Sequence, residues 1–303
     1  MLQLICVWLF ECLWCISNMV LKPRMLSCDA IYRKESSSGR FNAEVYKAIK
    51  KQKFIINSCY GYDVSCELLE PESIPNTNHR NKVVILCHGL GYSSVGSLKY
   101  TDMYLKLGFH IVVYDHRNHG LSGKAPTSMG HYEKQDLKKV VDWCYETYGD
   151  DCTVITHGES MGAATVLLHL GIDNRVKCAI ADCAYSDLKL LLKYQLKQYY
   201  HLPKCLIPVE SLITYLRAGF WYNDVSPIRV VSKTNTPILF IHGKKDSFVP
   251  TFMSKQMYAC KQNNKGIYLV AGAKHAESYC VNRKGYERRV KEFIQKTTDV
   301  TFS

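Results

Sequence analysis

Cys152-Thr153-Val154-Ile155-Thr156 runs straight into Gly158-Glu159-Ser160-Met161-Gly162, and Ala163 to Leu170 continues as a helix-like stretch. An apolar run that passes into a helix through so tight a turn must hold the serine in a strained backbone conformation. The flanking Gly158 and Gly162 remove the side chains that would clash there. The Ser160 hydroxyl is thereby pushed outward at the start of a helix, where backbone N–H groups and the positive end of the dipole face any developing oxyanion. Ser160 reads as a nucleophile on this ground, although the same five residues also suit an ordinary glycine-flanked turn.

The partners such a serine needs follow it along the chain in the order acid, then histidine. Pro237 to Gly243 reads as a buried strand, and Asp246 lies three residues past its closing glycine. A helix over Thr251 to Lys261 and a strand over Ile267 to Val270 lead to the loop Ala271 to Glu277, which carries His275. Of the 11 histidines, it is the one on a loop after a strand beyond both Ser160 and Asp246. A serine hydroxyl attacks poorly unless a neutral imidazole takes its proton, and the imidazole needs a carboxylate to fix its tautomer. Asp182, closing the strand Val176 to Ala181, stays open as an alternative acid. His88, His131 and His242 suit turns or hydrogen bonds. A second oxyanion donor is expected after the strand Lys82 to Cys87, in His88-Gly89-Leu90-Gly91, with the Leu90 N–H joining that of Met161. A simple glycine turn is the other reading of that loop. The strand His110 to Tyr114 ends in Asp115 to Ser122, to which a structural role near the site is assigned.

Taken together, the His-Gly-x-Gly loop, Tyr114 to Gly120, Gly158 to Gly162, Ile241 to Pro250 and Ala273 to Tyr279 resemble the bacterial membrane-anchored or secreted α/β-hydrolases. This is a group of serine aminopeptidase-like and esterase/lipase-like enzymes. The resemblance spans roughly residues 50 to 298. It implies Ser160, Asp246 and His275 as a catalytic triad, Leu90 and Met161 as oxyanion donors, and no single substrate. No acidic cluster is placed to hold a free amino terminus, so ester hydrolysis is expected ahead of peptidase, amidase or thioesterase action. A non-catalytic binding module on the same scaffold is the reading from another class. Ser160 argues against dehalogenase and epoxide-hydrolase chemistry, which would need an aspartate at this turn. No metal or organic cofactor is expected.

Composition fits one large α/β core: 303 residues, 47% hydrophobic and 22% charged, without repeats. Strand-like runs alternate with amphipathic stretches such as Leu137, Val140, Val141, Cys144 and Tyr148, and a closing helix carries Glu287, Val290, Phe293 and Ile294. That alternation predicts a mostly parallel sheet covered by helices on both faces. The expected organisation is an anchor over 1–21, a linker and lead-in helix over 22–50, and a hydrolase domain over 51–303 with a lid inserted at about 185–235. In the lid, Leu188, Leu191, Leu192 and Tyr199 share one face, and Val209, Leu212, Ile213, Leu216 and Phe220 another. Leu188, Leu192, Tyr199 and Leu216 are the candidates for lining an acyl pocket; sealing the lid onto the core is the alternative. Lys189, Lys193 and Lys197 form a basic row suited to an anionic surface or to plain solvation. The formal charge of +12 is dispersed and no nucleic-acid motif accompanies it, so a small-molecule or lipid-like ester is the expected partner.

Leu2 to Leu21 has the length of a membrane span, interrupted by Gln3, Glu11, Ser17 and Asn18. Ten apolar residues supply roughly −3 to −6 kcal/mol against about +2.5 to +3.5 for a central acidic side chain, which predicts a single N-terminal span. Packing of this helix on the domain is the alternative. Lys22, Arg24, Arg33 and Lys34 follow the segment and favour a cytoplasmic domain, the resemblance favours an exported one, and the side of the membrane is left open. The 14 cysteines are scattered, often within strands, as small buried hydrophobes. Cys12-x-x-Cys15 lacks a second ligand pair, so zinc is not expected.

Overall fold

The computed structural model describes residues 2–72, 81–298 and 300, with side chains for all of these except 2–10 and 12. Cys12 therefore lies outside the described side chains. Helices α1 (Leu2–Leu21), α2 (Cys28–Ser37) and α3 (Ala43–Ala48) lead into strands β1 (Lys51–Asn57) and β2 (Asp63–Leu69). Next come β3 (Lys82–Cys87), a 3-10 turn over Ser94–Tyr100, α4 (Thr101–Lys106), β4 (His110–Tyr114), α5 (Glu133–Tyr148), β5 (Thr153–Glu159), α6 (Met161–His169) and β6 (Cys178–Asp182). Helices α7 (Leu188–Tyr199), α8 (Leu206–Ala218) and α9 (Pro227–Val231) separate β6 from β7 (Ile238–Gly243). The chain closes with α10 (Phe252–Cys260), β8 (Lys265–Val270), α11 (Ser278–Val281) and α12 (Arg283–Thr297).

The eight strands form one sheet in the order β1-β2-β4-β3-β5-β6-β7-β8. β1 and β2 pair antiparallel, as do β2 and β4, and every pairing from β4 to β8 is parallel. Strands buried on both faces read as continuous apolar runs. Along β3, Val83, Ile85 and Cys87 join the core under α5 and α6, while Val84 and Leu86 join the one under α4 and α12. This is an α/β-hydrolase fold. Because β5, β7 and β8 are parallel, their C-terminal ends lie along one rim, and the loops leaving them converge there.

The membrane span expected over Leu2–Leu21 is corrected: among the described residues, no helix is long and apolar enough to cross a membrane. One of the segment's polar interruptions, Asn18, has a partner in the fold. Asn18 Oδ1 accepts from Arg217 Nη2 of α8 at 2.7 Å, and the Arg217 guanidinium lies 3.8 Å from the Trp14 ring centroid. The Leu21 carbonyl accepts from the Thr127 N–H at 3.0 Å. Leu13, Ser17, Val20 and Leu21 are buried.

On α8, Glu210 is fully buried, and neither carboxylate oxygen has a hydrogen-bond partner among the described residues. Burial pushes its pKa up to about 8, with Arg217 opposing. A raised folded-state pKa favours the fold below the unfolded value of 4.5 and is a liability as pH rises through 8. Glu210→Leu is expected to stabilise the protein by about 1–3 kcal/mol at pH 8 and by less at pH 5. Thermal midpoints of both proteins at the two pH values check this; equal shifts would show that the carboxyl is not the cause.

Candidate active site

β5 hands over to α6 at Ser160, whose φ of 55° and ψ of −115° lie where a side chain is strained at a cost of order 1–3 kcal/mol. The Ser160 N–H donates to the Asp182 carbonyl of β6 at 2.9 Å, and the Ser160 carbonyl accepts from Ala164 N–H at 3.0 Å, so both sides of the turn are tied down. A Cβ at Gly158 would overlap the Gly162 carbonyl, and one at Gly162 would overlap the Cys87 carbonyl of β3. Only glycine lets the turn pack this closely on the sheet.

His275, on the loop after β8, sits with Nε2 2.9 Å from Ser160 Oγ and Nδ1 2.7 Å from Asp246 Oδ2. An N–H at Nδ1 faces the carboxylate, which leaves Nε2 to accept from the serine hydroxyl. Asp246, past the end of β7, is buried and accepts three hydrogen bonds. Oδ1 takes the Phe248 and Val249 N–H groups at 2.9 Å each; Oδ2 takes His275, and His242 Nε2 lies beside it at 3.2 Å. Burial by itself would raise this carboxyl, but His242 and His275 hold it down to about 2. His242 is itself fixed, Nε2 2.8 Å from the Val249 carbonyl and Nδ1 2.7 Å from Ser254 Oγ. A hydrogen-bonding role was legible for His242 in the sequence; that its partners are Val249 and Ser254 was not, because the path of the turn and of α10 after β7 decides it.

Asp182, the alternative acid, faces elsewhere. Its Oδ2 accepts from Tyr286 at 3.1 Å and Tyr100 at 3.5 Å, in a buried network that also pairs Lys99 with Glu159. Burial, reinforced by Glu159, raises Asp182 to about 6.

The loop after β3 is held by histidines. His88 Nε2 accepts from His116 N–H at 2.9 Å while Nδ1 meets the Gly89 carbonyl at 2.8 Å, and His119 Nε2 accepts from Gly91 N–H at 3.1 Å. Burial lowers His88 well below the ordinary histidine range and lowers His119 as well, so both stay neutral and can accept. Asp115 accepts from the Ser94 and Leu121 N–H groups at 2.6 and 2.8 Å. Among the described residues, neither the Leu90 nor the Met161 N–H finds an acceptor in the protein.

A cavity of about 410 Å³ opens beside Ser160, within the roughly 300–1,000 Å³ usual for small-molecule sites. Leu192 and Tyr199 of α7 line it, and the Tyr199 hydroxyl donates to the Ser247 carbonyl at 2.7 Å. The other two pocket candidates lie elsewhere: Leu188 is fully buried in the core beneath α7, and Leu216 is 74% exposed on α8, away from the lining. Three lining residues absent from the sequence expectations, Ile16, Met19 and Val20, come from α1. Their i, i+3, i+4 spacing was the available signal, but it was absorbed into the reading of a span.

Cys183, Asp246 and His275 present thiol, carboxylate and imidazole ligand atoms within 4.8 Å of one another. Those of Asp246 and His275 already bond each other, and burial raises the Cys183 thiol well above its ordinary value. A metal there would displace the hydrogen bond that orients the imidazole.

Residues 82–204 match the sequence model described as the alpha/beta hydrolase fold. The chain is 36% identical over 288 residues to the uncharacterized protein YqkD of Bacillus subtilis, covering 94% of this chain and 92% of that one. Among solved structures, the Pyrococcus furiosus esterase Pf2001 superposes with a TM-score of 0.68 at 21% identity, covering 84% of this chain and 96% of the esterase. The acylaminoacyl peptidase of Pyrococcus horikoshii gives 0.61 at 16% identity over 84% of this chain and 43% of the peptidase.

Proposed function

The chain belongs to the α/β-hydrolase family, and from that premise we propose that it is a serine hydrolase cleaving carboxylic esters through an acyl-enzyme. The observation that carries the reading is the unbroken relay from Ser160 Oγ through His275 to Asp246 at 2.9 and 2.7 Å, mounted on a strained turn. In this reading His275 Nε2 takes the hydroxyl proton as Ser160 Oγ attacks the ester carbonyl. The Leu90 and Met161 N–H groups stabilise the tetrahedral oxyanion, and the same imidazole returns the proton to the departing alcohol. Water, deprotonated by His275, then attacks the acyl-serine and frees the acid. Asp246 remains ionised throughout and keeps the N–H on Nδ1. The helices between β6 and β7 act as a lid over the site.

Ester cleavage is favoured over aminopeptidase action because, among the described residues, no charged side chain lines the cavity, so a free amino terminus would lose its hydration with no carboxylate to meet it. A fluorophosphonate probe tests the proposal directly. Near-stoichiometric labelling of native protein, mapped to Ser160 and abolished by prior denaturation, is expected. Absence of labelling on folded protein would mean a binding scaffold and not an enzyme.

A further inference from the structure

We infer that α1 gauges the acyl chain of the substrate: with α7 it walls a dry slot for a neutral, apolar acyl group of medium length. This rests on the serine hydrolase reading of Ser160. Ile16, Met19 and Val20 fall on one stripe of α1, and Leu191, Leu192 and Leu196 of α7 join them around the cavity that reaches Ser160. Val20, Leu191 and Leu196 are buried, so this part of the cavity is its interior. Met19 is 47% exposed although it lines the same cavity, and Tyr199, Tyr200 and Phe248 are likewise exposed, so these four stand at the mouth.

The wall is fixed in place. Arg217 of α8 binds Asn18 and covers Trp14, and Thr127 binds the Leu21 carbonyl, so α1 is tied both to the β6–β7 insertion and to the loop before α5. Among the described residues, the polar side chains on the lining are hydroxyls and Gln195, with no charge. A terminal carboxylate or ammonium on the acyl chain would be stripped of water without a partner. If a methylene fills about the volume of a water molecule, roughly 30 Å³, the cavity takes a chain on the order of ten carbons.

The test is kcat/KM across p-nitrophenyl esters from acetate to dodecanoate for the full-length protein. Wild type is expected to gain about fourfold per methylene until the slot is full. Met19→Trp, at the exposed mouth where it disturbs no core, should cut the decanoate-to-acetate ratio at least about tenfold, as expected for a pocket altered by a few methylenes. Ile16→Ala should move the optimum to longer chains. Cys15→Ala, exposed and outside the lining, leaves the profile as in wild type. If wild type hydrolyses acetate and takes the probe, yet Met19→Trp and Ile16→Ala reproduce its chain-length profile, α1 is not the gauge and the hydrolase reading stands. If folded wild type cleaves no ester and takes no probe, the hydrolase reading fails and this inference with it.

Discussion

Ser160→Ala is expected to lower kcat for p-nitrophenyl acetate by about a millionfold, to the rate supplied by binding and the oxyanion donors alone. The substitution removes one oxygen whose side-chain partner is His275, while the backbone bonds of Ser160 to Asp182 and Ala164 remain. The protein should therefore unfold at nearly the wild-type temperature while no acyl-serine accumulates in a single turnover. A residual rate within tenfold of wild type would remove Ser160 from the chemistry.

Asp246→Asn should cost about ten-thousandfold in kcat, because an amide nitrogen facing Nδ1 favours the wrong imidazole tautomer and turns Nε2 from acceptor to donor. The same substitution has a second, independent signature. The folded-state pKa of about 2 lies below the reference 3.8, a depressed carboxyl whose stabilisation is present above the unfolded pKa and lost as pH falls through the folded one. It amounts to about 2 kcal/mol at pH 7. Chemical unfolding from pH 5 to pH 2 should show wild type losing about that much more stability than Asp246→Asn below pH 4. Parallel curves would mean that the groups around the carboxylate do not act as drawn, whatever the kinetics.

Much of the fold was readable because the constraints are short-range. The runs at Lys82–Cys87 and His110–Tyr114 are apolar at every central position, as only doubly covered strands need to be, and the glycines around Ser160 are demanded within five residues. β1 escaped notice because it is an edge strand, exposed along most of its length, with Lys51, Gln52 and Lys53 where an apolar pattern would have marked it. The lead-in region likewise holds two helices, α2 and α3, where one was expected. The pocket expectations divided according to position along α7 and to which helix carries the residue. Leu192 and Tyr199 line the cavity beside Ser160, whereas Leu188, on the same face of α7 one turn nearer its start, is buried in the core, and Leu216 is exposed on α8.

By itself the sequence determined the strand-turn-helix around Ser160, the order in which Asp246 and His275 follow it, and the parallel core, since each is enforced by neighbours a few residues away. Tertiary structure alone decided what α1 does. An apolar stripe interrupted by Ser17 and Asn18 suits a bilayer poorly and a protein surface well, but only if that surface offers the matching donor. Here the donor is Arg217, 199 residues further along the chain. The same long-range closure brings His275 to Ser160, 115 residues away, and Met19 to the mouth of the Ser160 cavity, because complementarity between distant segments exists only once the sheet has brought them together.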